Sequence, residues 1–153
     1  MPYFNLTDEA IVDADISSTF QQVLDANNWY EWWAPHIEAE SRGSEKLIQV
    51  NSVVEIKIHY IMTTKFLAKI KDIKKNCSIS VEYFEGDFLG ASQWFFEPIG
   101  GKTKIIYRFR TKPNRRLIRF LLRFLNFQKA HSAILQSGFK GLSEHLNKRA
   151  NGP

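Results

Sequence analysis

Between His36 and Lys112 the chain alternates apolar and polar residues with a period of two, the spacing of a strand that buries one face. Val54, Ile56, Ile58 and Tyr60 interleave with Glu55, Lys57 and His59. Phe66, Ala68 and Ile70 interleave less strictly with Lys65, Lys69 and Lys71, and Ile79, Val81 and Tyr83 with Ser80 and Glu82. Glu85-Gly86-Asp87 predicts a tight turn into a strand over Phe88 to Glu97, and Ile99-Gly100-Gly101-Lys102 predicts a hairpin. After that hairpin Thr103, Ile105, Tyr107 and Phe109 face one way, and Lys104, Arg108 and Arg110 the other. Turns this short join antiparallel neighbours in a meander, not βαβ units.

The two ends of the chain follow other patterns. Ala10 to Ile16 reads as a first strand, and Ser18 followed by Gln21 has the form of a capping box at a helix start. Phe20, Val23 and Leu24 share one face of that helix, and Asn27 and Asn28 interrupt it. Trp29 to Ala34 predicts a second short helix or turn, ended by Pro35, which disfavours helical geometry at Ala34. Near the C-terminus, segment 115–125 sets Arg115, Arg119 and Arg123 on one stripe of a largely apolar helix. Past a division near Asn126, Ile134, Leu135, Phe139, Leu142 and Leu146 share one face. A single helix over 127–148 is about 30 Å long, enough to cross a curved sheet. Gly138 and Gly141 each cost such a helix about 1 kcal/mol against Ala, to be offset by close packing on the sheet or by room for a ligand. This order of segments predicts an α+β helix-grip architecture in one domain over 1–153. A curved antiparallel sheet wraps around a long C-terminal helix, two short helices follow the first strand, and a cavity lies between sheet and helix.

Composition adds a ligand and a polarity. Twelve Phe, five Tyr and four Trp are more aromatic surface than a core of 153 residues requires, and aromatics in excess often line apolar pockets. The single Cys77 excludes an internal disulfide and fits a reducing compartment. With no charged leader running into an apolar stretch, and no run near the roughly 18 apolar residues of a membrane span, the expectation is a cytoplasmic protein. The net charge of +5 is unevenly spread: Pro98 to Ser143 holds eleven Lys or Arg and no Asp or Glu, while the remainder balances at −6. A basic face of this kind meets a membrane, an anionic ligand or nucleic acid, or is simply solvated. No nucleic-acid-binding module accompanies it, so nucleic acid is not an expected partner.

Three stretches together resemble the START-like superfamily, also called SRPBCC, the polyketide cyclase/dehydrase and lipid-transport or Bet v 1-like group. Ile16-Ser17-Ser18-Thr19-Phe20 through Trp29-Tyr30-Glu31-Trp32-Trp33-Ala34-Pro35 is similar to its first strand, helix pair and Trp-Pro segment. Gly86-Asp87-Phe88-Leu89-Gly90 through Trp94-Phe95-Phe96-Glu97-Pro98 and Gly100-Gly101-Lys102-Thr103 is similar to its late hairpin. Gly138-Phe139-Lys140-Gly141-Leu142 through Leu146 is similar to the end of its closing helix. The likeness runs along nearly the whole chain, with two departures. Asn51 stands where many relatives carry Gly, and segment 115–125 is longer and more apolar than expected. The resemblance implies a hydrophobic cavity; relatives bind lipids, sterols, quinones, hormones or polyketides, and some are cyclases or aromatases. A fold of this kind does not choose among these roles.

Candidate cavity residues are Trp29, Trp32, Trp33, Tyr60, Tyr83, Trp94, Phe96, Tyr107, Phe109 and Phe139. The first three tryptophans serve either as core or as a cavity rim whose indole N–H groups meet a ligand. The three tyrosines matter because a buried hydroxyl wants a partner, which a ligand carbonyl can supply. His36, Glu38 and Glu40 share a strand face that reads as a solvated edge, with Ile37 and Ala39 on the buried side. His131 and His145 lack metalloprotease spacing, and neither a serine-nucleophile motif nor a phosphate-binding Gly loop is present. No metal or cofactor is therefore expected. Three functions stay open: binding of a hydrophobic small molecule; a cyclase or dehydratase reaction assisted by Tyr60, Tyr107 or Arg108; and a peripheral membrane or protein contact through 115–125. That segment also has the form of a lid over the cavity, or of a helix whose Arg stripe lies in water. The sequence leaves open whether the protein is a monomer or a dimer.

Overall fold

A computed structural model describes residues 4–60 and 62–151. The chain runs β1 (Phe4–Val12), α1 (Ile16–Leu24), a 3-10 turn (Ala26–Asn28), α2 (Tyr30–Trp33), β2 (Ile37–Ser41), β3 (Val53–His59) and β4 (Thr63–Lys74). It continues through β5 (Ser78–Gly86), β6 (Phe88–Ile99), β7 (Lys102–Pro113), α3 (Arg116–Leu121) and α4 (Phe127–Asn151). All seven strands join one antiparallel sheet in the order β1-β7-β6-β5-β4-β3-β2. Strands β3 to β7 form the meander that short turns dictate, β2 joins its edge through the longer connection 42–52, and β1 closes the far side by pairing with β7. Register shifts in β4 at Leu67/Ala68 and Ile70/Asp72 bend the sheet. The sheet curls into a half-barrel around α4, a helix-grip fold.

The inner sheet face carries the alternating set: Val54, Ile56, Phe66, Ala68, Ile70, Ile79, Val81, Tyr83, Trp94, Phe96, Ile105, Tyr107 and Phe109 are all buried. From α4, Ile134, Leu135, Phe139, Leu142 and Leu146 meet them. Asn126 Oδ1 accepts from Lys129 N at 3.1 Å and starts α4 where the division was expected. Asn51 has φ of 74°, the left-handed backbone that glycine adopts without penalty and that asparagine tolerates better than most residues.

Four expectations are corrected. The first strand lies over Phe4–Val12, not 10–16, because its inner face is Leu6, Asp8, Ala10 and Val12 and the buried Asp8 interrupts the apolar alternation. Helix α1 is capped by Asp15, not by a Ser18/Gln21 box: its carboxylate accepts from Ser18 N at 3.0 Å and from Ser18 Oγ at 2.7 Å. Those hydrogen bonds hold the Asp15 carboxyl below the usual aspartate range. Gly138 and Gly141 do open the way to close packing, but against α2 and not the sheet. A Cβ at Gly138 would collide with the Trp33 indole, and one at Gly141 with the Trp32 carbonyl oxygen.

The fourth concerns 115–125, which is no continuous Arg-striped helix. Arg115 is still extended (φ −122°, ψ 134°) and α3 ends at Leu121. Arg115 Nε pairs with Asp87 Oδ1 at 3.3 Å, and Arg119 Nε donates to Pro113 O at 3.3 Å. Two of the three arginines are thus tied to the end of the sheet, and Arg123 falls beyond the helix.

Candidate functional site

A cavity of about 140 Å³ opens between the concave sheet and the helices. Its floor is the inner sheet face, including Val54, Ile56, Phe66, Ile79, Val81, Tyr83, Trp94, Tyr107 and Phe109. Trp29 and Trp33 close one end with Val23 and Ile48, and α4 supplies Ala130, His131, Ile134 and Leu135 along one side. The other end is built by Ile58, Tyr60 and Met62 around the β3–β4 turn and by Ile118, Leu121, Leu122 and Leu125 from α3 and its connection to α4. Asp87 holds this end together. Its backbone N–H donates to Lys65 O at 2.9 Å, its Oδ2 accepts from Lys65 N at 2.8 Å, and its other oxygen takes Arg115.

Trp29, Trp33, Tyr60, Tyr83, Trp94, Tyr107 and Phe109 line this space; Trp32, Phe96 and Phe139 do not. Trp32 stacks on Trp33 with ring centroids 4.9 Å apart, and Phe96 lies edge-on to Phe20 at 5.0 Å. Phe139 is wedged between Trp33 at 6.4 Å and Trp94 at 6.3 Å. The tryptophans are buried core, not a rim that offers its N–H groups. Trp29 Nε1 donates to Val23 O at 2.9 Å, Trp33 Nε1 donates to Ile134 O at 3.0 Å, and Trp32 Nε1 is buried without a partner away from the cavity. Tyr60 is 52 % exposed at the cavity lip, so its hydroxyl is not the buried group expected. On the edge face Glu38 meets Lys57 at 3.9 Å and His59 at 3.6 Å, in water. No group of three metal-ligating side chains occurs among the described residues.

Besides Thr64 of β4 and Tyr60 at the lip, the polar side chains of the cavity wall lie at two places. Tyr83 Oη donates to Ser92 Oγ at 2.7 Å and lies 3.0 Å from Tyr107 Oη. Burial pushes both phenols up; at Tyr107 the neighbouring Tyr83 and, more weakly, the Asp8 charge push the same way, and its value lies well above the ordinary one. Both hydroxyls are neutral at physiological pH. The second place is His131 of α4 and Asp8 of β1, each 8 % exposed. His131 Nδ1 lies 3.3 Å from Asp8 Oδ2, at an angle too oblique for a hydrogen bond, while Ser132 Oγ donates to Asp8 Oδ1 at 2.6 Å. Burial works against the Asp8 charge, yet the contacts with His131 and Ser132 outweigh it and hold this carboxyl below its ordinary value. The periodicity of the chain did not single out this pair. Its only trace is an acidic residue on the inner face of a strand. Arg108 is exposed on the outer face, over the Phe95 ring at 5.2 Å, and takes no part in the cavity.

Outside the cavity, the α3 region presents Leu117, Phe120 and Phe124 at 52 %, 54 % and 74 % exposure. Arg116 and Arg123 are exposed beside them.

No family model matches the chain, and no curated protein matches its sequence. Solved structures match it closely in shape. One, from Thermus thermophilus, superposes with a TM-score of 0.79 at 19% identity, covering 97% of this chain and 100% of its own. The ginseng major latex-like protein 151 from Panax ginseng gives 0.72 at 12% identity, covering 95% and 98%. A START superfamily protein from Mycobacterium smegmatis gives 0.72 at 14% identity, covering 94% and 97%.

Proposed function

Starting from the START-like, Bet v 1-like helix-grip fold, we propose that this protein binds a hydrophobic small molecule, lipid- or polyketide-like, in the cavity between sheet and α4. The observation that carries the reading is the cavity itself, apolar on nearly every side and furnished with a few buried polar groups, the usual make-up of a small-molecule site. A dry apolar space of about 150 Å³ takes a ligand the size of benzene. The cavity as it stands therefore holds one ring or a short branched chain, and a longer ligand must push back the wall formed by Ile118, Leu121, Leu122 and Leu125. The apolar body lies against Trp29, Trp33, Trp94 and Phe109, and the polar end is oriented by Tyr83, Tyr107 and His131. Native mass spectrometry after mild purification should find a copurified small molecule, and calorimetric titration with toluene should show saturable binding. A protein that carries no small molecule and binds neither toluene nor a medium-chain fatty acid would sink the reading.

A second reading is supported by the α3 surface. Exposed Leu117, Phe120 and Phe124 next to Arg116 and Arg123 form an apolar and basic edge at the end of the cavity, suited to the interface of an anionic membrane. No helix among the described residues is long and apolar enough to cross a membrane, so the contact is peripheral. Vesicles containing phosphatidylglycerol should sediment with the protein at low salt. Replacing Phe120 and Phe124 with Ser, or Arg116 and Arg123 with Glu, should abolish this. Absence of sedimentation at low salt rejects it.

A further inference from the structure

We infer that Asp8 and His131 make the cavity selective for ligands carrying a hydrogen-bond-donating hydroxyl, which is received by His131 Nε2. The inference rests on the reading that the cavity binds a small apolar molecule and adds the chemistry of its polar end. Nδ1 of His131 is buried, and the acidic group beside it is Asp8, 3.3 Å away. A bare nitrogen lone pair facing a buried carboxylate is repulsive, so Nδ1 carries a proton, and in the neutral imidazole the lone pair is then on Nε2. The Asp8 carboxylate is fixed in this role by the Ser132 hydroxyl on its other oxygen. Nε2 lies on the far side of the ring, and His131 is part of the cavity wall among Tyr107, Phe109 and Phe127, with ring centroids 6.0, 4.5 and 5.9 Å away.

The tyrosines do not offer a competing donor. Tyr83 gives its proton to Ser92, so the proton between Tyr83 and Tyr107 comes from Tyr107. Tyr107 then has no proton left for a ligand, and Ser92 hydrogen-bonds to it as well. The acceptor left for a ligand is His131 Nε2, beside which a hydroxyl is favoured over a carbonyl or ether, while Thr64 and Trp94 carry donors elsewhere on the wall. A carbonyl or ether leaves Nε2 unpaired, which is costly in a buried site.

The test compares p-cresol, toluene and 4-methylanisole by calorimetric titration of the whole protein. The wild type should bind p-cresol roughly tenfold more tightly than toluene, the fold-change of one net hydrogen bond, and 4-methylanisole no better than toluene. Binding of p-cresol should shift the 15N resonance of His131 Nε2, which toluene leaves in place. His131→Phe should bring the ratio of p-cresol to toluene affinity down to about one. Equal affinities for p-cresol and toluene in the wild type, or a preference that survives His131→Phe, overturns the inference and leaves the binding reading standing. Failure of all three compounds to bind overturns that reading with it. Should His131→Phe not fold, the wild-type comparison and the 15N shift still decide.

Discussion

The two ends of the cavity are built in contrasting ways. At one end Trp29, Trp32, Trp33 and Trp94 form a single buried cluster, with Gly138 and Gly141 bringing α4 so close that a side chain would collide with the Trp33 indole or the Trp32 carbonyl. Two of the indole N–H groups there are bonded to backbone carbonyls. At the other end the wall is the six-residue α3 and its connection, with large apolar side chains inside and outside and its attachment resting on Arg115, Arg119 and buried Ile118. Close packing with no spare volume resists rearrangement, whereas a short element with few buried contacts opens at low cost. The tryptophan end is the fixed jaw of the grip, and under the proposed binding function the α3 end is where a ligand would enter.

That contrast can be broken by mutation. The largest effect is expected at the fixed end: Trp33→Ala should lower unfolding stability by about 3–5 kcal/mol in urea titrations. A loss under 1 kcal/mol would show that the cluster is not close-packed. Gly141→Ala should cost about 1–3 kcal/mol from overpacking, reversing the gain of about 1 kcal/mol that the exchange brings in an open helix. If the variant is more stable, the approach of α4 to α2 is looser than described. Asp8→Asn tests the side of the cavity between the two ends. Because the folded protein holds the Asp8 carboxyl below its ordinary value of 3.8, the charge stabilises the fold above that pH, and the contribution fades as the pH falls through the folded value. The stability gap between wild type and Asp8→Asn should therefore shrink on acidification; a gap that stays constant contradicts it. The smallest effect belongs to the entry end. Leu121→Ala, at a half-buried position, should cost only about 1 kcal/mol while speeding toluene exchange in NMR line shapes. Unchanged exchange would place the entrance elsewhere.

The middle of the molecule was legible because each strand from β3 to β7 keeps one face to the core, so its register is written into the alternation. The closing helix was equally readable from its apolar stripe. Three things were hidden for separate reasons. Strand β1 escaped because Asp8 occupies an inner position, and the pair it forms joins opposite ends of the chain, beyond any local pattern. Which aromatics face empty space and which fill the core depends on sheet curvature and on how near α4 approaches α2, so Phe96 and Phe139 look the same as Trp94 in sequence. The Arg spacing of 115–125 fitted a helix, but pairing of Arg115 with Asp87 holds its start extended.

The ends of the sheet also decide how this protein meets its own copies. An unpaired strand edge is a template for another chain. On β1 that edge is partly occupied by α4: Gln136 Nε2 donates to Glu9 O at 2.9 Å, and just past the strand Asp13 N donates to Ser143 Oγ at 2.6 Å. On the opposite side β2 is only five residues long and turns Glu38 and Glu40 outward. Both margins of the half-barrel thus discourage strand-to-strand pairing, which disfavours growth of the sheet into fibrils.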